Sequence, residues 1–346
     1  MVVGGGTPDT NNHKYWNGDI QWFTPSEIGR DKYVTNSLRT ISEEGLNKSS
    51  AKLLPIGTIL LSSRATVGEC SINKVECTTN QGFQSLIPKE YFSKEFVFYL
   101  MQTKRKELIR KSCGSTFLEI SANEVRKIKI AVPTSKEQEK ISKLLALLDE
   151  RITTQNKIIE KLQSLIKGIR ARLIQQVGGD FVYLSEIAQI YQPQTISLSE
   201  FTKEGYLVYG ANGVIGKYRE YNHQTEQICI TCRGNTCGVV NYTQPKSWIT
   251  GNAMVINTDD FKEKVFKRYL YHYLSAYNFN SIISGSGQPQ IVRSPLEKLR
   301  IALPTMQQQK NIATFLDKLQ NQIEINNNIL HLYLQQKQYL FRQMFI

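Results

Sequence analysis

Two stretches of this chain, 171 residues apart, say nearly the same thing, and each runs straight into a long helical pattern. Residues 112–133 read SCGSTFLEISANEVRKIKIAVP and residues 284–304 read SGSGQPQIVRSPLEKLRIALP. Pro133 answers Pro304, Gln138 answers Gln309, Ile141 answers Ile312 and Ile152 answers Ile323. After each proline the seam residues step by four and three. They are Ile141, Leu145, Leu148, Ile152, Gln155, Ile159, Leu162, Ile166, Ile169 and Leu173, then Ile312, Leu316, Leu319, Ile323, Asn326, Leu330, Tyr333, Lys337, Leu340 and Met344. A 3.5-residue repeat holds one seam toward a partner helix. A lone helix would leave that seam in water, so the two are expected to clasp each other as an antiparallel pair. Each seam carries one amide at an equivalent position, Gln155 or Asn326, either buried to fix register at some cost in stability or half exposed.

The rest of each copy predicts a small mixed unit of strands and helices, so the fold class is α/β in the mixed α+β sense. In residues 1–133, TILLSS (58–63) and FQSLIP (83–88) are strand candidates, and Phe96, Tyr99, Leu100 and Leu108 form the apolar face of a helix over about 94–111. In residues 178–304, QICITCRG (227–234) and NAMVIN (252–257) match those strands, and a helix is expected near 262–277. Each unit then has a Gly/Ser loop, CGST (113–116) or SGSG (284–287), and a short strand, IKIAVP or LRIALP. YLSEIAQI (183–190) reads as a short helix. The first unit starts abruptly with GGGTPDT, without a lead segment of that kind, so either its start is trimmed or another part of the chain or a partner is expected to cover that edge. From 141 to 173 a helix spans roughly 50 Å. With one unit near each end, that length suits two contact patches on one duplex, whose turn is about 34–36 Å. The same rod would also serve as a dimer interface.

The formal net charge is +13 over 346 residues, and it is spread along the chain: +5 in 1–133, +4 in 134–174, +2 in 175–304 and +2 in 305–346. Such an excess favours a polyanionic partner, because basic side chains near phosphates release condensed counterions. The six cysteines form no metal set: CITC (229–232) has zinc-like spacing but no second pair at a matching interval, so buried free thiols are expected. No secretory signal and no run of about 18 apolar residues is visible, so a cytoplasmic location without a membrane partner is expected.

Chemistry is missing where an enzyme would need it. There is no Asn/Asp-Pro-Pro-aromatic run, GVIGKY lacks P-loop spacing, and GANGVIG has no amphipathic helix behind it to support a dinucleotide fingerprint. His13, His223, His272 and His331 are scattered. No catalytic residue and no metal ligand is assigned.

Candidate DNA contacts follow from residue type and place. Arg64 and Arg233 each end a strand and can grip phosphate or pair with guanine. Their presence in both units favours phosphate or structure over base reading. Asn235 lies in the glycine turn after Arg233. Asn212 opens the hairpin turn of GANGVIGKY (210–218), beside Lys217 and Tyr218. Lys14, Trp16 and Asn17 sit in a polar, aromatic loop. Ser286, Gln288 and Gln290 lie near the helix junction, where glutamine can read adenine. Lys104, Arg105, Arg110 and Lys111 line the basic side of a helix.

The layout resembles the specificity (S) subunit family of type I restriction-modification systems. The resemblance rests on GGGTPDTNNHKYWNGDIQWFTPSEI (4–28), GYLVYGANGVIGKY (205–218), ICITCRGNTCGVV (228–240) and WITGNAMVI (248–256), with LLSSRATVGEC (60–70) and TTNQGF (78–83) as their first-unit analogues. It rests equally on the junctions VPTSKEQEKI (132–141) and LPTMQQQKNI (303–312). The resemblance implies two target recognition domains, 1–133 and 178–304, alternating with helical regions 134–177 and 305–346. It implies a non-catalytic subunit that reads a bipartite, asymmetric site in double-stranded DNA. The seam residues Ile141 to Ile159 and Ile312 to Leu330 would form the scaffold for two methyltransferase (M) subunits and for restriction (R) subunits. No cofactor is expected in this chain: S-adenosylmethionine belongs to the M subunits, ATP and Mg to the R subunits. The alternatives are a restriction or modification enzyme with an unrecognised active site, and a structural rod that does not touch DNA.

Overall fold

The computed structural model describes residues 1–114, 118–211, 213–285 and 287–345 and contains two compact units, residues 1–155 with 329 onward, and residues 156–328. In the first unit the strands are β1 (Val2–Gly4), β2 (Trp16–Phe23), β3 (Tyr33–Val34), β4 (Arg39–Ile41), β5 (Ile59–Leu61), β6 (Cys70–Asn73), β7 (Cys77–Thr79) and β8 (Gln84–Leu86). The helices are α1 (Glu43–Asn47), α2 (Lys94–Thr103), α3 (Arg105–Arg110), α4 (Ala122–Arg126) and the first half of α5 (Ser135–Gln176). One sheet runs in the order β1-β8-β5-β6-β3, a smaller one β4-β2-β7. β5 is buried on both faces. Ile59 and Leu61 join Val97, Tyr99 and Met101 of α2, whereas Leu60 joins Phe23 and Phe83 on the other side. Alternating side chains of a strand point to opposite faces, so a strand covered on both sides reads as an unbroken apolar run.

The second unit repeats this plan. Its strands are β9 (Asp180–Tyr183), β10 (Gln189–Tyr191), β11 (Tyr206–Gly210), β12 (Gly213–Tyr218), β13 (Ile228–Thr231), β14 (Val240–Tyr242), β15 (Trp248–Ile249), β16 (Ala253–Asn257) and β17 (Arg300–Leu303). Its helices are α6 (Lys267–Ala276), α7 (Arg293–Glu297), the second half of α5 and the first part of α8 (Met306–Met344). The sheets run β10-β16-β13-β14, β12-β11-β15 and β17-β9. β13 is the counterpart of β5: Ile228 and Ile230 face α6, and Cys229 faces the other way with Tyr209 and Ile249.

Four expectations change. YLSEIAQI is not a helix but β9's end, a 3-10 turn at Leu184–Glu186 and then β10, because Ile190 pairs with Ile256 in the sheet. The helix over 94–111 is two helices, broken where the Lys104 amide is shared between the carbonyls of Leu100 and Met101. The helix near 262–277 begins only at Lys267, after a 3-10 turn at Asp259–Phe261. LRIALP forms β17, but IKIAVP forms no strand among the described residues. β17 has β9 as its antiparallel partner, whereas Ile130 and Val132 have none and stay exposed.

Within each unit the two long helices pack together with opposite polarity. In the first unit Ile141 and Leu145 share a core with Leu340, Phe341 and Phe345, and Lys337 Nζ lies 2.6 Å from Asp149 Oδ1, so one helix advances as the other recedes. In the second, Ile174 packs on the core that holds Ile312 and Ala313, and Arg170 lies in the field of Asp317. The seam residues are the shielded ones: Leu145, Leu148, Ile159, Leu316 and Ile323 are buried, with Ile141, Ile152, Ile312, Leu319 and Leu330 half-buried. Gln155 and Asn326 are buried too, and Asn326 Nδ2 donates to the Gln322 carbonyl at 2.7 Å.

Candidate nucleic-acid interface

In the second unit three loops meet at the end of β13. The Thr231 hydroxyl donates to the Ala211 carbonyl at 2.6 Å and the Thr236 hydroxyl to the same oxygen at 3.0 Å. This ties the β11–β12 hairpin turn to the loop after Arg233. The hairpin closed by Ser284 and Gln290 exchanges two backbone bonds of 2.9 and 2.8 Å, and docks on β13's end through Ile291 N–H to the Cys232 carbonyl at 3.0 Å. Gly234 N–H reaches the Pro289 carbonyl at 3.0 Å. Gly234 has φ 81° and open space where a Cβ would sit, so the backbone beside Arg233 lies bare. Arg233, Asn235, Gln288 and Gln290 are exposed around these loops, whereas Lys217 is exposed at the far end of the β11–β12 hairpin opposite Leu207, and Tyr218 beside it is buried edge-on to Trp248 at 5.0 Å. Asn212 and Ser286 lie outside the described residues, as do Ser115 and Thr116.

The first unit builds the same ending on β5. Cys113 and Glu119 exchange two backbone bonds of 2.9 Å, and Ile120 N–H donates to the Ser63 carbonyl at 3.0 Å. Ala65 occupies the left-handed region at φ 58°, where the second unit has Gly234. Here the cations have carboxylate partners. Arg64 Nε lies 2.8 Å from Glu119, Arg105 2.7 Å from Glu69, and Lys111 3.7 Å from Glu107. Lys104 is half-buried and Arg110 exposed.

Lys14 lies in a 3-10 turn, His13–Tyr15, that runs straight into β2, and Trp16 and Asn17 are the first two residues of that strand. Residues 17–19 bulge out between the two residues that pair with Ile41. Asn17 there adopts φ 63°, and a Cβ on Gly18 would come 2.5 Å from the backbone of Ser42. Lys14 and Asn17 are exposed, but Trp16 is 7% exposed. Its Nε1 donates to the Asp9 carbonyl at 3.0 Å, its ring meets Trp22 edge-on, and the Arg39 guanidinium covers it at 3.5 Å. Arg39 and Glu119 escaped the reading of the sequence. For Glu119 a signal existed, since the 171-residue shift sets it opposite Gln290.

Burial pushes the thiols of Cys70, Cys77 and Cys229 up to about 12, so they stay protonated at neutral pH. All six cysteines are free, and no group of three or more His, Cys, Asp or Glu residues that could hold a metal ion occurs among the described residues. Nor does any helix among them have the length and apolarity to cross a membrane.

Comparison with known proteins gives a matching picture. The family described as Type I restriction modification DNA specificity domain matches the chain twice, over residues 2–164 and 177–332. The type I restriction enzyme MjaIX specificity subunit of Methanocaldococcus jannaschii is 39% identical over 168 residues, covering 46% of this chain and 39% of that protein's own length. The EcoprrI specificity subunit of Escherichia coli is 27% identical over 340 residues, covering 91% and 84%. Among solved structures, the S subunit from M. genitalium superposes with a TM-score of 0.60 at 16% identity over 98% of this chain and 99% of that one. A chain from a structure of type I R-M complex assembly reaches 0.67 at 16% identity, covering 99% and 94%. These two likenesses show the fold, and the doubled family match does the rest: the chain belongs to the type I restriction modification DNA specificity family.

Proposed function

We propose that this chain is a non-catalytic specificity subunit that binds double-stranded DNA and reads a bipartite, asymmetric site. The observation that carries the reading is the loop constellation built twice. In each unit an arginine ends a central strand and a closed hairpin docks beside it. Residues 1–133 and 178–304 act as target recognition domains, and 134–177 and 305–346 as the helical regions on which M and R subunits assemble. Phosphate contacts position each domain, and side chains of the divergent loops read base edges. The candidates for these roles are Lys14, Asn17, Arg64, Lys104, Arg105, Arg110 and Lys111 in the first domain, and Asn212, Lys217, Arg233, Asn235, Ser286, Gln288 and Gln290 in the second. Methyl transfer from S-adenosylmethionine, and ATP- and Mg-dependent cleavage, are supplied by the partners.

The test is to map methylated adenines with the cognate M subunit present, before and after residues 205–290 are exchanged for the segment of another family member. One half of the mapped site should change and the other stay. A change in both halves would refute the assignment of one domain to one half.

A further inference from the structure

We propose that the residue closing the docked hairpin, Glu119 in the first unit and Gln290 in the second, sets how strongly the strand-end arginine beside it engages the DNA backbone. By this device Arg233 is the active phosphate anchor, while Arg64 is held largely out of use. The inference rests on the DNA-binding reading above and adds a division of labour to it.

The backbone is the same in both places. Cys113–Glu119 and Ser284–Gln290 close equivalent hairpins, each with a reciprocal pair of hydrogen bonds, and Arg64–Glu119 and Arg233–Gln290 are equivalent antiparallel bridges. Residues paired across a bridge have side chains within reach of each other. The difference is chemical. Glu119 holds the Arg64 guanidinium at 2.8 Å, with the two side chains 45% and 40% exposed. Gln290 is neutral, and among the described residues no carboxylate pairs with the exposed Arg233.

An exposed ion pair contributes little to stability, so folding alone gives Glu119 no strong role. Its effect on a phosphate is larger. The carboxylate occupies an edge of the guanidinium that would otherwise clamp phosphate oxygens, and it repels the phosphate charge itself. The left-handed turn that follows each arginine brings the backbone close, and at Gly234 nothing fills the space a phosphate oxygen would approach.

The experiment measures binding of the full chain to a labelled duplex of random sequence from about 50 to 200 mM KCl, where each phosphate contact contributes about 0.9 to the slope of log K against log salt. Gln290→Glu and Arg233→Ala should each weaken binding by about fivefold and lower that slope by about one contact. Combining them should weaken binding by clearly less than the product of the two separate effects, leaving only the direct repulsion between the new carboxylate and the phosphate. Glu119→Gln should tighten binding by a similar factor and steepen the slope, and adding Arg64→Ala should remove most of that gain. Thermal melting of each variant confirms that it is folded. The proposal is overturned if folded Glu119→Gln leaves affinity and slope unchanged, or if Arg64→Ala alone weakens binding as much as Arg233→Ala. Either result leaves duplex binding by the parent chain intact. A parent chain that binds no duplex even at low salt removes the DNA reading and this inference together.

Discussion

Gln138 and Gln309 show how one residue type joins a long helix to its unit. Each Oε1 accepts from the backbone amide that caps the neighbouring helix, Ser93 N–H at 2.9 Å for Gln138 and Phe266 N–H at 2.7 Å for Gln309. Each Nε2 donates to the proline carbonyl five residues before it, at 3.0 and 2.9 Å, and to a carbonyl just ahead of the capped helix. Both side chains are buried, so apolar replacement strands an amide and two carbonyls. Gln309→Leu should lower stability by about 2–4 kcal/mol in chemical denaturation. A loss below about 0.5 kcal/mol would mean water replaces those bonds. His272 supplies a second test. It is fully buried, and burial pushes it down to about 4 against the hydrogen bond from its Nε2 to Asp317. Burial would raise Asp317, but bonds from Arg268 and His272 outweigh it and hold the carboxyl low. A histidine held neutral in the fold binds its proton more readily when unfolded. Its contribution is therefore full above the unfolded pKa of about 6.5 and is lost as pH falls from there toward 4, by about 3 kcal/mol. His272→Phe should flatten the pH dependence of the melting temperature between about 6.5 and 4. An unchanged profile would exclude His272 as its source.

At the scale of elements, the heptad seam separates residues of the same chemistry by place. Leu145 and Leu316 are fully buried, whereas Leu147 on the same helix as Leu145 is 59% exposed. Leu145→Ala and Leu316→Ala should each cost about 2–5 kcal/mol, and Leu147→Ala less than about 0.5 kcal/mol, by denaturant titration. Equal losses at all three sites would contradict the seam. The strands behave differently. β5 and β13 owe their apolar runs to cover on both faces, but β17 exists as a strand only because β9 lies beside it. The equivalent IKIAVP has comparable propensity and forms no strand, since a strand's backbone groups need a partner ladder.

For the molecule as a whole, the repeat accounts for the form of the function better than any single site does. The two units share the arginine, the left-handed turn and the docked hairpin, yet differ in the loops around them. The second has the β11–β12 hairpin, and the first a bulged β2 packed under Arg39. Shared parts suit the DNA backbone, which is the same everywhere, and differing parts suit bases, which are not. The exchange of residues 205–290 therefore has a reciprocal: replacing the loops of the first unit should alter only the other half of the methylation map. The positive charge, spread along the chain, fits two contact patches better than one.

The sequence by itself determined the repeat, the seam of both long helices and the existence of the strands β5 and β13. Periodicity and internal alignment are properties of residue order, and packing only obeys them. It also carried the family, through motifs in a fixed succession. Tertiary structure decided the rest. Trp16 reads as a loop aromatic until Arg39 and Trp22 close over it, and Arg64 and Arg233 read alike until Glu119 reaches only the first. Those outcomes depend on which distant residues the fold brings within a few ångströms, and no local pattern encodes that distance.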